Sequence, residues 1–144
     1  MKRILVLLVI TVLAVPSLMA AERPEIIIVN NVPVDFAPFG IVSSLTARIN
    51  AVMGPQPHLD CVAMIQLDFY DTNGNVLAEK TARLSPTAVE SLEFTPGREA
   101  VGRTQIRPQI LIEWPPGPCR GAAIANVEVY NNETGETKFV VAGQ

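Results

Sequence analysis

The chain has 144 residues, of which 49% are hydrophobic and 17% charged, with a mean hydropathy of +0.30 and a formal net charge of −3. That length suits one ordinary domain with a single core. The charges are scattered without a basic run, which excludes the electrostatic footprint of a nucleic-acid binder.

Lys2 and Arg3, an apolar run over 4–15, Pro16 and then Ser17-Leu18-Met19-Ala20 read as a secretory signal peptide over residues 1–20. The run is shorter than the roughly 20 apolar residues that span a bilayer. Cleavage is expected after Ala20 or Ala21, leaving one domain over 21–144 with no stable membrane span. Loss of the two basic residues of the leader takes the formal charge of −3 to −5. The expected destination is the periplasm, the cell surface or the extracellular space.

From residue 25 onward the hydrophobic pattern has period two, the signature of strands with one buried face. Glu25-Ile26-Ile27-Ile28-Val29-Asn30-Asn31 is β-branched and reads as the first strand. Leu45, Ala47, Ile49, Ala51 and Met53 share one face, with Thr46, Arg48 and Asn50 on the other. A Pro-rich loop, Gly54-Pro55-Gln56-Pro57-His58, holds the single histidine. Cys61, Ala63, Ile65, Leu67 and Phe69 alternate with Gln66 and Asp68. Val76, Ala78, Ala82 and Leu84 alternate with Glu79, Thr81 and Arg83. Ile106, Pro108, Ile110, Ile112 and Trp114 alternate with Gln105, Arg107, Gln109 and Glu113, and Pro108 predicts an edge strand or a bulge because proline cannot donate to the ladder. Ala123, Ala125, Val127 and Val129 alternate with Asn126 and Glu128, and the pattern recurs to the C-terminus.

Turn chemistry separates these runs at Asp71-Thr72-Asn73-Gly74-Asn75, Ser85-Pro86-Thr87, Thr95-Pro96-Gly97-Arg98, Pro115-Pro116-Gly117-Pro118 and Asn131-Asn132-Glu133-Thr134-Gly135. Seven or eight short antiparallel strands at this spacing predict an all-β, immunoglobulin-like antiparallel β-sandwich, with a small closed barrel as the rival. Cys61 and Cys119, far apart and without CxxC spacing in an exported chain, predict one structural disulfide on core-facing parities. Each cysteine precedes an apolar strand, a tyrosine and an Asx-Gly turn, so the bridge is expected to tie together two hairpins of similar design.

No catalytic constellation emerges. His58 lacks a GxSxG or comparable nucleophile setting. Met53, His58, Cys61 and Met64 are soft-metal ligand types suited to Cu(I), but Met53 and Cys61 fall on the core parity and the disulfide consumes the thiolate. Asp71, Asn73 and Asn75 mimic the start of an EF-hand loop, yet Gly74 is misplaced and Ala82 stands where the bidentate glutamate belongs. A looser calcium site with Asp68 or Glu133 remains a weaker alternative to an Asn-Gly hairpin turn. Asn132-Glu133-Thr134 matches a glycosylation sequon and is read as a turn. No cofactor or metal is expected. Two outward features suggest a binding surface: the face bearing Arg107, Gln109, Leu111 and Glu113, and the hairpin-end aromatics Tyr70 and Tyr130.

The stretches FAPFGIVSSLTARINAV (36–52), CVAMIQLDFYDTNGNVLAEKTARLSPTAVESLEF (61–94), TQIRPQILIEW (104–114) and Cys119 leading to ANVEVYNNETGETKFVV (125–141) resemble a group of small exported bacterial proteins of unknown function. Their pattern combines PFG, T-x-R-(I/L)-N, C…F-x-D-x-x-G-x-V-L, an L-x-P-G corner, I-R-P and a final C…V-x-(V/F)-x-N-x-T-G hairpin. This chain has Ser85-Pro86-Thr87 where a glycine is usual in the corner. The resemblance implies export and the sandwich fold, and carries no activity. The expected function is that of a non-enzymatic exported module binding an unknown protein or envelope component. The alternatives are a metal-binding (calcium or copper) or loop-built hydrolytic protein, and a subunit docking by edge-strand pairing through 104–114 or the terminal strands.

Overall fold

Among the described residues, alternation of apolar and polar residues becomes ten antiparallel strands: β1 Ile26–Ile28, β2 Val34–Asp35, β3 Phe39–Ile41, β4 Leu45–Met53, β5 Ala63–Tyr70, β6 Val76–Leu84, β7 Val89–Phe94, β8 Thr104–Glu113, β9 Ala123–Asn131 and β10 Thr137–Val141. The computed structural model describes residues 26–28, 33–54, 61–119 and 121–141. The expected signal segment and His58 lie outside them. Among the described residues there is no helix, and hence none long and apolar enough to cross a membrane.

The strands form a β-sandwich. One sheet has the order β1-β9-β4-β7 with β10 also on β9; the other has β2-β8-β5-β6 with β3 also on β8. The strand count exceeds the expected seven or eight because two edge positions are each filled by two short strands in tandem. β1 covers Ala123 to Ala125 of β9 while β10 covers Val127 to Tyr130. In the same way β2 covers Gln109 and Ile110 of β8, and β3 covers Thr104 to Ile106. The β4–β7 and β5–β8 pairs repeat the B–E and C–F pairs of the immunoglobulin arrangement, whereas β9 and β10 extend the β4 sheet.

The inward parities fill the space between the sheets. Ala47, Ile49 and Ala51 of β4 and Val127 and Val129 of β9 face Ile65, Leu67 and Phe69 of β5 and Ile106, Ile110 and Ile112 of β8, all buried in one hydrophobic cluster. Phe69 and Phe94 meet across the layers at a centroid distance of 5.9 Å. Val76, expected on the buried face of β6, is 50% exposed, because a register shift between Phe69 and Tyr70 pairs Tyr70 with Val76 and turns the start of β6 outward.

Each lateral opening of the sandwich is closed by a different device. On one side Lys80 of β6 and Glu90 of β7 share the inward parity and form an ion pair at 2.9 Å, with Lys80 Nζ also donating to the Ser91 carbonyl at 3.0 Å. Inward-pointing charges at an edge oppose further strand addition. On the other side Phe39 of β3 packs edge-on against Phe139 of β10 at 5.6 Å.

Pro108 does not sit on an edge strand, as its chemistry predicts; β8 is flanked by β5 on one side and by β2 and β3 on the other. The Pro108 carbonyl accepts from Phe36 N at 3.0 Å. Since N–H and C=O of one antiparallel residue point the same way, the imide nitrogen faces the 36–38 interval between β2 and β3, where the ladder is interrupted. The missing donor is matched by a missing strand. For the same reason 104–114 is not a free docking edge.

The Cys61–Cys119 disulfide exists, with Cα atoms 5.4 Å apart and a sequence separation of 58. It joins the segments leading into β5 and β9, one strand from each sheet. Cys61 is buried, as its parity predicts, whereas Cys119 is only half-buried because it lies in the loop before β9. The paired hairpins share one mechanism. Asp71 Oδ1 accepts from the backbone of Asn73 and Asn75, both at 2.8 Å, and Asn131 Oδ1 accepts from Glu133 at 2.8 Å and Thr134 at 3.0 Å. Gly74 (φ 84°) and Gly135 (φ 69°) then supply the left-handed residue that turns the chain.

Candidate functional site

The outer face of the β8–β5 sheet gathers five of the six expected surface residues, Arg107, Gln109, Leu111, Glu113 and Tyr70. Tyr70 on β5 stands opposite Arg107 on β8, Asp68 opposite Gln109, and Gln66 opposite Leu111. The Arg107 guanidinium lies over the Tyr70 ring, 5.4 Å from its centroid. Gln109 Nε2 donates to Asp35 Oδ1 at 2.9 Å, which brings in β2. Tyr70 Oη and Gln66 Nε2 both donate to Asp68 Oδ2, at 3.1 and 2.9 Å. Burial, followed by the neighbouring Asp68 carboxylate and the hydrogen bond to it, pushes the Tyr70 hydroxyl above its ordinary pKa.

Asp68 and Asp35 belong to this face although parity did not single them out. Asp68 has an outward parity but is 2% exposed, and its Oδ1 is buried without a hydrogen-bond partner. The available signal was the i, i+2 series Gln66, Asp68, Tyr70, three polar side chains in line on one strand face. Asp35 carried none, because its place depends on β2 pairing with β8 across more than seventy residues.

Tyr130 is not part of this surface. It projects from β9 on the opposite sheet, where Arg48 lies 4.7 Å from its ring centroid and donates to its hydroxyl at 3.2 Å. The Arg48 guanidinium is consumed there. It bonds Glu93 through Nε at 2.7 Å and again through Nη2, and reaches Glu128 at 3.3 Å. Burial works against the charged form of Arg48, yet the bond to Glu93 and the Tyr130 contact hold its pKa above the ordinary value. The bond to Arg48 correspondingly holds the Glu93 carboxyl below its usual range.

Arg107 contrasts with Arg48. Its nearest carboxylate, Asp35 Oδ1, is 3.9 Å from Nε, too far for a hydrogen bond, and its side chain is 43% exposed. Beside it a cleft of about 420 Å³ is lined by Pro38, Ile106, Arg107 and the 71–74 turn. That volume lies in the range of small-molecule sites. A second, smaller hollow of about 100 Å³ sits on the same face between Met64, Gln66, Thr81, Leu111 and Glu113.

The alternative chemistries find little here. Both Asp71 oxygens are used by their own turn, Oδ2 accepting from Asn75 Nδ2 at 2.8 Å, and these bonds hold the carboxyl below its usual pKa. The loop is therefore closed around its own donors. Among the described residues no cluster of three or more His, Cys, Asp or Glu side chains is placed to hold a metal. Met64 is exposed on the outer face while Met53 is buried in the core, and Cys61 is in the disulfide, so the soft-metal set is not brought together. In the sequon, Asn132 Nδ2 donates to the Ser43 carbonyl at 3.1 Å and Oδ1 accepts from Thr46 at 2.6 Å, a corner bracket that ties β4 to the β9–β10 turn.

No family model matches the sequence, and no curated protein matches it. Among solved structures the chain is similar to a chain of the structure of infectious bursal disease virus Gt strain, with 13% identity and a TM-score of 0.36. The similarity covers 85% of this chain and 34% of the viral one. A likeness of that size carries no argument about function.

Proposed function

We propose that this chain is an exported, non-enzymatic binding module whose working surface is the outer face of the β8–β5 sheet. The observation that carries the reading is the difference between the two arginines: Arg48 is saturated by Glu93, Glu128 and Tyr130, while Arg107 lies over the Tyr70 ring with only a loose ion pair to Asp35 and, among the described residues, no hydrogen bond to the protein. An ordered but uncommitted guanidinium beside a cleft is the kind of group that recognition uses. The signal-like residues 1–20 and the disulfide support work in an oxidising compartment, at the cell surface, in the periplasm or outside the cell. The resemblance to small exported bacterial proteins agrees with that placement, and the partner is an envelope component or another exported protein.

The test uses the exported full-length protein and its co-sedimentation with the envelope fraction. The double variant Arg107→Glu, Leu111→Asp is expected to lower the retained share by about tenfold, and Tyr130→Phe on the opposite face to leave it unchanged. Equal retention of both variants, or no retention of the parent protein, overturns the reading.

A second reading rests on β10, which among the described residues pairs only with β9 and leaves Phe139 partly exposed at its margin. Addition of a partner strand there would make the protein a docking subunit. It predicts that Phe139→Lys, and not the Arg107 double variant, abolishes retention.

A further inference from the structure

The geometry points to a ligand class for the cleft at the β5–β6 turn: a singly charged organic carboxylate with a small apolar body, its acid group taken by Arg107. The inference rests on the outer face being the binding surface and goes further by naming what binds. Three features of the cleft converge on it.

The first is the donor. A guanidinium presents two parallel N–H groups that match a carboxylate, and this one lies 5.4 Å from the Tyr70 ring centroid while, among the described residues, no protein hydrogen bond engages it. Tyr70 is itself anchored through its hydroxyl to the buried Asp68 at 3.1 Å. The arginine is thus positioned by a platform fixed in the sheet, which lowers the ordering cost of binding.

The second is the charge balance. Asp35 lies 3.9 Å from Arg107, and Asp71 lines the same cleft with both oxygens turned to its own loop. One cation against two nearby carboxylates leaves a local formal charge of −1, which opposes a dianion such as a phosphate monoester more strongly than a monoanion. A monoanion is therefore the anion the site disfavours less, and its binding rests on the directed bonds from the guanidinium and not on net charge.

The third is the lining. Pro38, which is exposed, gives an apolar wall, while Ile106 borders the cleft with its side chain buried in the core, and Thr72 and Asn73 give neutral polar groups. The apolar wall exists because β2 and β3 part at 36–38 opposite Pro108. The interruption that accommodates one proline thereby opens the pocket beside another, Pro38. A volume of about 420 Å³ holds a ligand the size of an acylated amino acid.

The test is an amide-resolved NMR titration of the folded, disulfide-bonded protein with three probes: N-acetyl-leucine, its neutral carboxamide, and glucuronate. N-acetyl-leucine is expected to shift the amides of residues 71–74, 106 and 107 saturably, with Kd about 1 mM. The carboxamide is expected to bind at least about tenfold more weakly, and glucuronate, which lacks the apolar body, more weakly than N-acetyl-leucine. Arg107→Gln should abolish the difference between acid and carboxamide, and Arg107→Lys should restore part of it. Tyr70→Phe keeps the ring and should keep the preference. Equal binding of acid and carboxamide, tighter binding of glucuronate, or shifts mapping away from the cleft would each overturn the assignment. Envelope retention that depends on Arg107 in a protein that shows no acid preference would sink this inference and leave the binding face standing. Loss of both would sink the face as well.

Discussion

Tyr70 shows how one side chain joins stability to the candidate site. Its ring carries Arg107 and its hydroxyl satisfies one oxygen of Asp68, whose other oxygen is buried without a partner. Tyr70→Phe should cost about 1 kcal/mol in urea unfolding, the net value of a hydrogen bond with a fixed acceptor. The raised pKa of Tyr70 adds a pH signature. A group whose folded-state pKa lies above its unfolded value contributes stability that is complete below the unfolded value, near 10.0, and is lost as pH rises through the folded value. The parent protein should therefore lose stability above that pH faster than Tyr70→Phe, as measured by urea midpoints across an alkaline series. Glu93 gives the opposite limb. Its pKa is held below the ordinary 4.5 by Arg48, so its contribution is present above that value and fades as pH falls through the folded one. Glu93→Gln should flatten that acid limb, and an unchanged slope would show that the Arg48–Glu93 pair is too exposed to matter.

At the scale of elements, strand parity was legible and strand partnership was not. The alternation over 45–53 gives β4 with Ala47, Ile49, Ala51 and Met53 buried as expected, but Leu45 is only half-buried and Thr46, expected to face outward, is buried with its hydroxyl bonded to Thr95 and Asn132; 76–84 gives the bounds of β6. Parity is a local property, since successive side chains must point to opposite faces. It cannot say which sheet a strand joins, so Tyr70 and Tyr130, equivalent in their hairpins, end on opposite faces. The same limit hid the role of Pro108, which is decided by where β2 and β3 part company. The Asx-Gly turns were legible because their chemistry is also local. Gly74, at φ 84°, has open space where a Cβ would stand, so Gly74→Ala carries backbone strain alone and should cost about 1–2 kcal/mol. A cost near zero would mean that the turn relaxes to another type. The disulfide acts across elements. Replacing Cys61 and Cys119 by alanine together should lower the unfolding free energy by about 2–5 kcal/mol and leave far-UV circular dichroism unchanged below the transition. A loss of strand signal in the variant under native conditions would show that the two sheets cannot hold together without the bridge.

For the whole molecule, the decisive fact is that neither sheet can bury its apolar face alone. Ile49 and Val127 of one sheet and Ile65 and Ile110 of the other belong to the same cluster, the bridge pins one strand of each sheet, and the Lys80–Glu90 and Phe39–Phe139 contacts close both sides. Pairings between residues as far apart as Arg48 and Tyr130, 82 positions, must form before most of this burial is gained. Such topologies fold slowly, on the order of milliseconds to seconds, and as a unit. The chain carries a convenient reporter, since Trp114 is its one tryptophan, lies just beyond β8 and packs against the core. Urea unfolding of the oxidised protein should give the same midpoint by Trp114 fluorescence and by far-UV circular dichroism, with an m-value of about 1–3 kcal/mol/M. An earlier fluorescence transition would mean that the β8 end opens before the sandwich does. The candidate site would then sit on a strand of graded stability, with Arg107 near the more persistent end and Leu111 near the fraying one, and hydrogen exchange along β8 would separate the two.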